Sequence, residues 1–399
     1  MTRRLTIFLV LALSAGILWS QEASTATDVP GEVRLHLPPS IPLLAGVESN
    51  LYFDNAFLAL NPANFLADVT CAKGAQQAER WTWTPKAEDA GKLSLKVEIR
   101  DATNAIIASA STTLIVKDRA VAKVPEKPVS LLIIGDSLTA ASVYSLQIHD
   151  LAVEDDLPLR LIGTRGPTIA EGEPPSPNRH EGYGGWTAER FATHYTGIAR
   201  GGPYKECGSP FIYKDDGDEK PRLDFARYCR EFNEGAGPDY VTILLGCNDT
   251  FGATDDTIEE KIDIMFRHYE TLVAMIHELR PETRIGALLP MPPAASQDAF
   301  GANYGSGQTR WQYRRNQHRV VERMLQTFGG REAENVFLVP AWLNLDPVHG
   351  FPAKTEPAHS RSTAEVTRQS NGVHPSADGY RQIGDAVYAW LRSFDTPAQ

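Results

Sequence analysis

Basic residues are in short supply. The chain carries 39 Lys and Arg against 50 Asp and Glu, a formal charge of −11 over 399 residues. No local basic run offsets this, so the electrostatic footprint of a nucleic-acid-binding protein is missing. Long apolar runs are missing too. Leu5 to Trp19 is almost wholly apolar, but roughly fifteen residues fall short of the ~20 that span a bilayer. Arg3 and Arg4 precede this run and small residues follow it around Ser20 to Ala26. That is the layout of a secretory signal over residues 1–26, and it implies a secreted or periplasmic protein with no membrane insertion after cleavage. No cysteine lies near the cleavage region to take a lipid anchor. Cysteine is scarce throughout, with only Cys71, Cys207, Cys229 and Cys247. No CxxC pair or His/Cys cluster suggests zinc. Four cysteines allow three full pairings. Cys207 and Cys229 flank one polar insertion and are expected to pair, whereas Cys247 ends an apolar strand and reads as a buried thiol.

What is present divides the chain in two. Residues 27–118 read as all-β. Leu51-Tyr52-Phe53, Trp81-Thr82-Trp83, Leu93 to Ile99 and Thr113 to Val116 alternate apolar with polar residues or are β-branched and aromatic. Turn residues separate them at Asn61-Pro62, Asp89-Ala90-Gly91 and Asp101 to Asn104. Short strands at this spacing predict a small sandwich, and Trp81 to Val116 resembles the closing strands of an immunoglobulin-like module. A linker, 119–128, follows, charged and without periodicity. From Val129 strands and helices alternate. Leu131 to Ile134, Leu159 to Ile162, Val241 to Leu245, Ile285 to Leu289 and Val336 to Val339 are runs suited to strands buried on both faces. Ile258, Ile262, Met265, Tyr269, Leu272, Ile276 and Leu279 form one stripe of an amphipathic helix that Pro281 ends. Tyr380, Ile383, Val387, Trp390 and Leu391 repeat the pattern in a closing helix. The fold class is therefore α/β over residues 129–399, a parallel sheet between two helical layers, with its site at the C-terminal ends of the strands. Two irregular segments, 163–221 and 291–310, are long enough to be functional loops.

Gly135-Asp136-Ser137-Leu138 follows the first buried strand. A serine at such a junction exposes its hydroxyl at the sheet edge. Its backbone N–H opens the next helix, where an oxyanion is favoured. Gly246-Cys247-Asn248-Asp249 follows the strand Val241 to Leu245, and Asn371-Gly372-Val373-His374-Pro375 precedes the closing helix. Gly184-Gly185-Trp186-Thr187 lies in the first long loop. In these four blocks, in this order, the sequence resembles the SGNH hydrolase family, also called the GDSL esterases, across 129–394. The resemblance implies a flavodoxin-like α/β/α domain and ester hydrolysis through an acyl-enzyme, with no metal and no cofactor. It implies Ser137 as nucleophile and His374 as general base. The backbone N–H groups of Ser137 and Gly185 and the amide of Asn248 would form the oxyanion hole, with Gly184 the competing loop donor. Asp136 and Asp249 read as structural, bonding nearby backbone.

One position departs from the family's DxxH pattern: its acid is replaced by Asn371. Three consequences stay open. Asn371 or a backbone carbonyl orients His374 in a Ser–His dyad, a carboxylate from elsewhere (Asp346, Glu365 or Asp378) substitutes, or the enzyme is weak or inactive. The rim is expected to be polar and aromatic, with Arg179, Glu181, Tyr183, Trp186 and Gln308 as substrate-binding residues and Asn303, Tyr304, Arg310 and Trp311 beside them. His180 and His349 lie in nearby loops, while His268, His277 and His318 read as helix surface or packing residues. Such a rim suits sugar rings. The exported chain with its β module resembles carbohydrate acetylesterases, so its expected partner is an acylated carbohydrate or other small ester. The alternatives are a non-catalytic carbohydrate-binding protein on an esterase scaffold, or a lipase or thioesterase.

Overall fold

The computed structural model describes residues 33–120, 125–170, 173–197 and 206–394. The proposed signal segment lies outside them.

Five strands build the central sheet: β1 (Val129–Gly135), β2 (Leu159–Ile162), β3 (Tyr240–Leu244), β4 (Arg284–Leu288) and β5 (Val336–Val339). All pair in parallel, in the order β2-β1-β3-β4-β5, and the two-residue strand Glu181–Gly182 pairs with the end of β1. Every residue of β1 and β3 is buried, Ser130 and Thr242 included, as their predominantly apolar runs require of strands covered on both faces. This is the doubly wound, flavodoxin-like order. The chain reverses its direction of progress between β1 and β3, so their C-terminal ends border a crevice.

The helices follow the sequence pattern closely. α1 (Ser137–Ala140) and α2 (Val143–Glu154) follow β1, and α3 (Ala188–Thr193) lies in the long loop. α4 (Cys247–Thr250) follows β3 and leads to α5 (Ile258–Leu279), whose buried stripe is the one the spacing predicts. Then come α6 (Gln297–Tyr304), α7 (Arg310–Phe328), α8 (Ala341–Asn344) and, at the end, α9 (Ala377–Arg392). Between α8 and α9 an antiparallel hairpin pairs β6 (Ala353–Pro357) with β7 (Glu365–Gln369). α2 packs on α9, where Gly384 meets the side chain of Gln147, and α5 packs against α3 and α7.

The amino-terminal segment is β-rich. Ser40–Leu44, Ile106–Lys117, Gly91–Arg100 and Leu66–Cys71 form a four-stranded sheet in that order, with the first pair parallel. Ser49–Tyr52, Arg80–Trp83 and Ala75–Gln76 form a three-stranded antiparallel sheet. The expected turns are present, with Asp101 accepting from the N–H groups of Thr103 and Ala105. From Val33 onward the described residues form one compact unit. Its β-rich segment is tied to the α/β part by buried polar bonds. Asn55 donates to the carbonyls of Trp342 and Leu345, the Trp342 indole donates back to Asn55 O, and Arg314 reaches the carbonyls of Asp54, Phe57 and Ala59.

The expected Cys207–Cys229 disulfide is not formed, and none of the four cysteines is in a disulfide. Cys207 instead accepts from Arg165 at 3.0 Å, and Cys229 is buried on its short helix, where burial pushes its thiol up to about 12. Flanking one insertion brought both into the interior without directing their sulfurs at each other. Cys247 is a buried thiol, as its strand-end position suggested.

Candidate active site

Ser137 leaves the end of β1 as the first residue of α1. Asp136 caps that helix, its Oδ1 accepting from Leu138 N at 2.9 Å. The cap fixes the turn that lifts the serine hydroxyl out of the sheet edge. Directly behind it runs Glu181–Gly182. A Cβ on Gly182 would stand 2.5 Å from Ala140 N, so only glycine lets this strand close against α1.

His374 comes from the loop between β7 and α9. Its Nε2 lies 2.9 Å from Ser137 Oγ, a nucleophile–base hydrogen bond across 237 residues of sequence. Burial holds this imidazole below the ordinary histidine value, and no charged neighbour contributes to the shift. At neutral pH it is therefore the unprotonated form that faces the serine.

The orienting bond expected from Asn371 to the ring is not made. Asn371 Oδ1 accepts instead from the backbone N–H groups of Val373 and His374, at 3.1 and 2.9 Å. The side chain closes a tight turn that carries the histidine, and acts on the loop and not on the imidazole. The candidate carboxylates are engaged elsewhere. Asp346 accepts from Tyr52 Oη and from the N–H groups of Val348 and His349, Asp378 pairs with Arg381, and Glu365 stands exposed at the start of β7. Among the described residues no carboxylate hydrogen-bonds His374.

Across the crevice, Asn248 sits on α4 after β3. Its Nδ2 donates to Asp136 Oδ2 and to Trp186 O, both at 3.1 Å. Asp136 thus links the helix of the serine to the asparagine. Cys247 Sγ joins the same oxygen at 3.1 Å. Burial raises the Asp136 carboxyl to about 6. Asp249 is not solvent-facing either. Its Oδ1 accepts from Ala188 N at 3.0 Å, its Oδ2 is buried without a partner, and burial raises it to about 7, with the nearby Asp136 charge adding to the shift. Both aspartates bond backbone, as the sequence suggested, but only Asp136 does so locally; Asp249 reaches a residue 61 positions away. The link from Asp136 to Asn248 is not written in the spacing, because it joins residues 112 apart.

The Gly184-Gly185 turn is anchored by Trp186. The Trp186 ring is fully buried against Tyr183, at 4.4 Å between centroids, and Phe191. Gly185 is exposed with φ +75°, a conformation that favours glycine. The backbone N–H groups of Ser137, Gly184 and Gly185 have no hydrogen-bond acceptor among the described residues. Unpaired backbone donors are what a developing oxyanion needs.

Most of the expected substrate rim is corrected by the structure. Tyr183, Trp186 and Glu181 are core residues. Glu181 accepts from Tyr183, Tyr228 and Thr164 in the interior, and burial raises its carboxyl above the ordinary value. Gln308 is buried and donates to Phe251 O. Arg179 lines a groove with Pro128, Pro158 and Leu159, at the starting ends of β1 and β2 and so at the wrong end of the sheet. Of the neighbouring loop residues, Asn303 is exposed, Tyr304 and Trp311 are partly buried, and Arg310 pairs with Asp54. His180 is buried, its Nε2 on Ser142 Oγ and its Nδ1 accepting from Gly182 N, with burial lowering it to about 4. His318 is a packing residue against His36, and His349 is exposed.

The family model for GDSL-like lipases and acylhydrolases matches residues 133–382, which contain all four blocks. The chain belongs to that family. Solved structures similar to this GDSL-like acylhydrolase include a family 3 carbohydrate esterase of Clostridium thermocellum. It is 16% identical and matches over 66% of this chain and 94% of its own, with a TM-score of 0.35. A family 3 carbohydrate esterase from Talaromyces cellulolyticus is 15% identical over 66% and 96%, TM-score 0.36. A carbohydrate acetylesterase family member from Sinorhizobium meliloti is 15% identical over 66% and 97%, TM-score 0.35. No curated protein matches the chain.

Proposed function

We propose that this acylhydrolase is an exported serine esterase for short acyl groups, with O-acetyl groups on carbohydrate as its substrate class. The observation that carries the reading is the 2.9 Å contact between Ser137 Oγ and His374 Nε2. Ser137 attacks the ester carbonyl as His374 takes its proton. The oxyanion is held by the N–H groups of Ser137 and Gly185 and by the Asn248 amide, which turns one of its donors from Asp136 or Trp186 O to the substrate. His374 then gives the proton to the departing alcohol. Water repeats the sequence on the acyl-enzyme and releases the acid and the free serine.

The surface supports a water-soluble substrate. A lipase needs a broad apolar approach. Of the exposed large hydrophobic side chains among the described residues, Leu60, Leu66, Ile106 and Ile107 belong to the β-rich segment, Leu146 and Val153 to α2, and Ile169 and Tyr195 singly to the long loop after β2. Only Val348 lies beside the hairpin that leads to His374. No described helix is long and apolar enough to cross a membrane. Residues 1–26 are proposed as the export signal and the β-rich segment as a structural module.

The test is hydrolysis of p-nitrophenyl esters of graded chain length. Wild type should be fastest on acetyl, and Ser137→Ala should lose turnover while keeping its circular dichroism spectrum. A maximum at eight carbons or beyond, or full activity in Ser137→Ala, overturns the reading.

A further inference from the structure

A groove of about 540 Å³ opens between α6 and the β6–β7 hairpin. That volume is within the usual range for small-molecule sites. Asp298 and Gly301 line it from α6, and Lys354, Glu356, Arg368 and Gln369 from the hairpin. Its two cations and two anions pair with one another: Arg368 with Asp298 at 3.7 Å and Glu356 at 3.5 Å, Lys354 with Glu356 at 3.3 Å. Gln369 is fixed by Ser296 N and by the carbonyls of Pro347 and Val348. The lining therefore offers donors and acceptors in quantity with no net charge. An anionic ligand would meet two carboxylates, and an acyl chain would have to desolvate four charges. A neutral, polyhydroxylated molecule meets neither obstacle.

The position of the groove gives this chemistry a use. β7 runs from the groove straight into the turn that carries His374. Gln369 stands five residues before the histidine, which limits their separation to about 18 Å. α6 borders both places. Its groove side carries Asp298 and Gly301, while Phe300 packs on Gly372 and Val373. In ester hydrolysis the general acid must reach the departing alcohol, so the alcohol half lies on the histidine side of the nucleophile.

We propose that this groove is the docking subsite for the alcohol half of the ester, a neutral oligosaccharide whose acetyl group is presented to Ser137. The proposal rests on the acetylesterase reading above. In the step it serves, the bond between the acetyl carbon and the sugar oxygen breaks as the Ser137 Oγ–carbon bond forms, and the serine proton passes through His374 to the sugar oxygen.

Gly301→Trp tests it. A Cβ at 301 meets nothing within 4 Å, and the residue is helical without positive φ, so an indole enters the groove without straining α6. Wild type, Gly301→Trp and Arg368→Ala are assayed on p-nitrophenyl acetate, which has no sugar, and on partly acetylated xylo-oligosaccharides. In both variants the ratio of kcat/KM for the oligosaccharide to that for the aryl ester should fall, by about tenfold or more in Gly301→Trp and mainly through KM. Calorimetry with Ser137→Ala should detect binding of the same oligosaccharides, and Ser137→Ala/Gly301→Trp should lose it. An unchanged ratio in an enzyme that deacetylates the oligosaccharide overturns the groove and leaves the substrate class standing. Equal losses on both substrates in both variants also overturn it. Aryl-ester turnover with neither acetate release nor binding of the oligosaccharide overturns both.

Discussion

At position 371 a residue type that cannot carry charge occupies the place of an acid, and its oxygen is spent on backbone. Two accepted N–H bonds hold the turn that delivers His374 to Ser137. Asn371→Ala removes both, and kcat on p-nitrophenyl acetate should fall by about tenfold, the effect of roughly 1 to 1.5 kcal/mol in misplaced base. Asn371→Asp keeps two acceptor oxygens for the same N–H groups, so its kcat should stay within about threefold of wild type. Asp346→Asn, Glu365→Gln and Asp378→Asn touch no atom of the histidine, and each should likewise stay within about threefold. A loss of ~10³-fold in any one of the three would restore a distant acid and overturn the dyad. The same residue sets the pH profile. Only the neutral imidazole can take the serine proton, so kcat/KM rises with pH through the His374 pKa and is lost below it. Burial depresses that pKa, and no carboxylate opposes the shift. The acid limb should therefore lie below the ordinary histidine value of 6.5. A midpoint above 6.5 would indicate an acid partner.

Among the elements, those whose signal is local were legible in the sequence. β1 and β3 announced themselves by predominantly apolar runs, and α5 and α9 by stripes at helical spacing. The blocks of Ser137, Asn248 and His374 lie beside such elements, which placed them at strand ends or helix starts, but their roles came from the resemblance of the four ordered blocks to the SGNH family and not from the pattern alone. The long loop from 163 to 221 misled for a physical reason. Its glycine, proline and charge suggested a solvated rim, yet the rings of Tyr183, Trp186, Phe191 and Phe211 pack tilted or edge-on in the interior. Glu181 enters that interior because three hydroxyls satisfy it, a condition no spacing records. The junction of α7 with the β-rich segment was equally hidden. Arg314 lies on α7 with its side chain only 1% exposed, 3.0 Å from Asp54 and bonded to three carbonyls. Burial pulls its pKa down to about 10, a measure of how poorly solvated the charge is. Arg314→Ala leaves three buried carbonyls and Asp54 without this donor and should cost about 3 kcal/mol in denaturant unfolding. Arg323, on the same helix but paired with Asp263 at the surface, is the control: Arg323→Ala should cost less than about 1 kcal/mol. Equal small costs for both would show that the junction contributes little.

For the molecule as a whole, the position of the four blocks suggests that residues before the linker are dispensable and that a chain starting near Lys123 should hydrolyse small esters. The packing argues for a different outcome. Removing the β-rich segment takes away the partners of Arg314, uncovers the Trp342 indole that donates to Asn55 O, and frees Asn344, whose amide oxygen accepts from both the backbone and the side chain of Asn50. It also releases Asp346 from Tyr52, next to the hairpin that precedes the His374 turn. Each loss strands a buried polar group or exposes an apolar one, and such losses accumulate because they share one interface. The chain from Lys123 is therefore expected to unfold about 10 °C or more below the full chain, if it is recovered soluble at all. Its remaining activity should decay on warming in step with unfolding, because the displaced contacts lie under the α8–hairpin side of the site and not at Ser137. Thermal unfolding followed by circular dichroism, with p-nitrophenyl acetate turnover measured on the same samples, decides the matter. A truncated chain that melts within a few degrees of the full one and turns over the ester equally fast would show that these buried bonds join two independent domains and do not support the catalytic one.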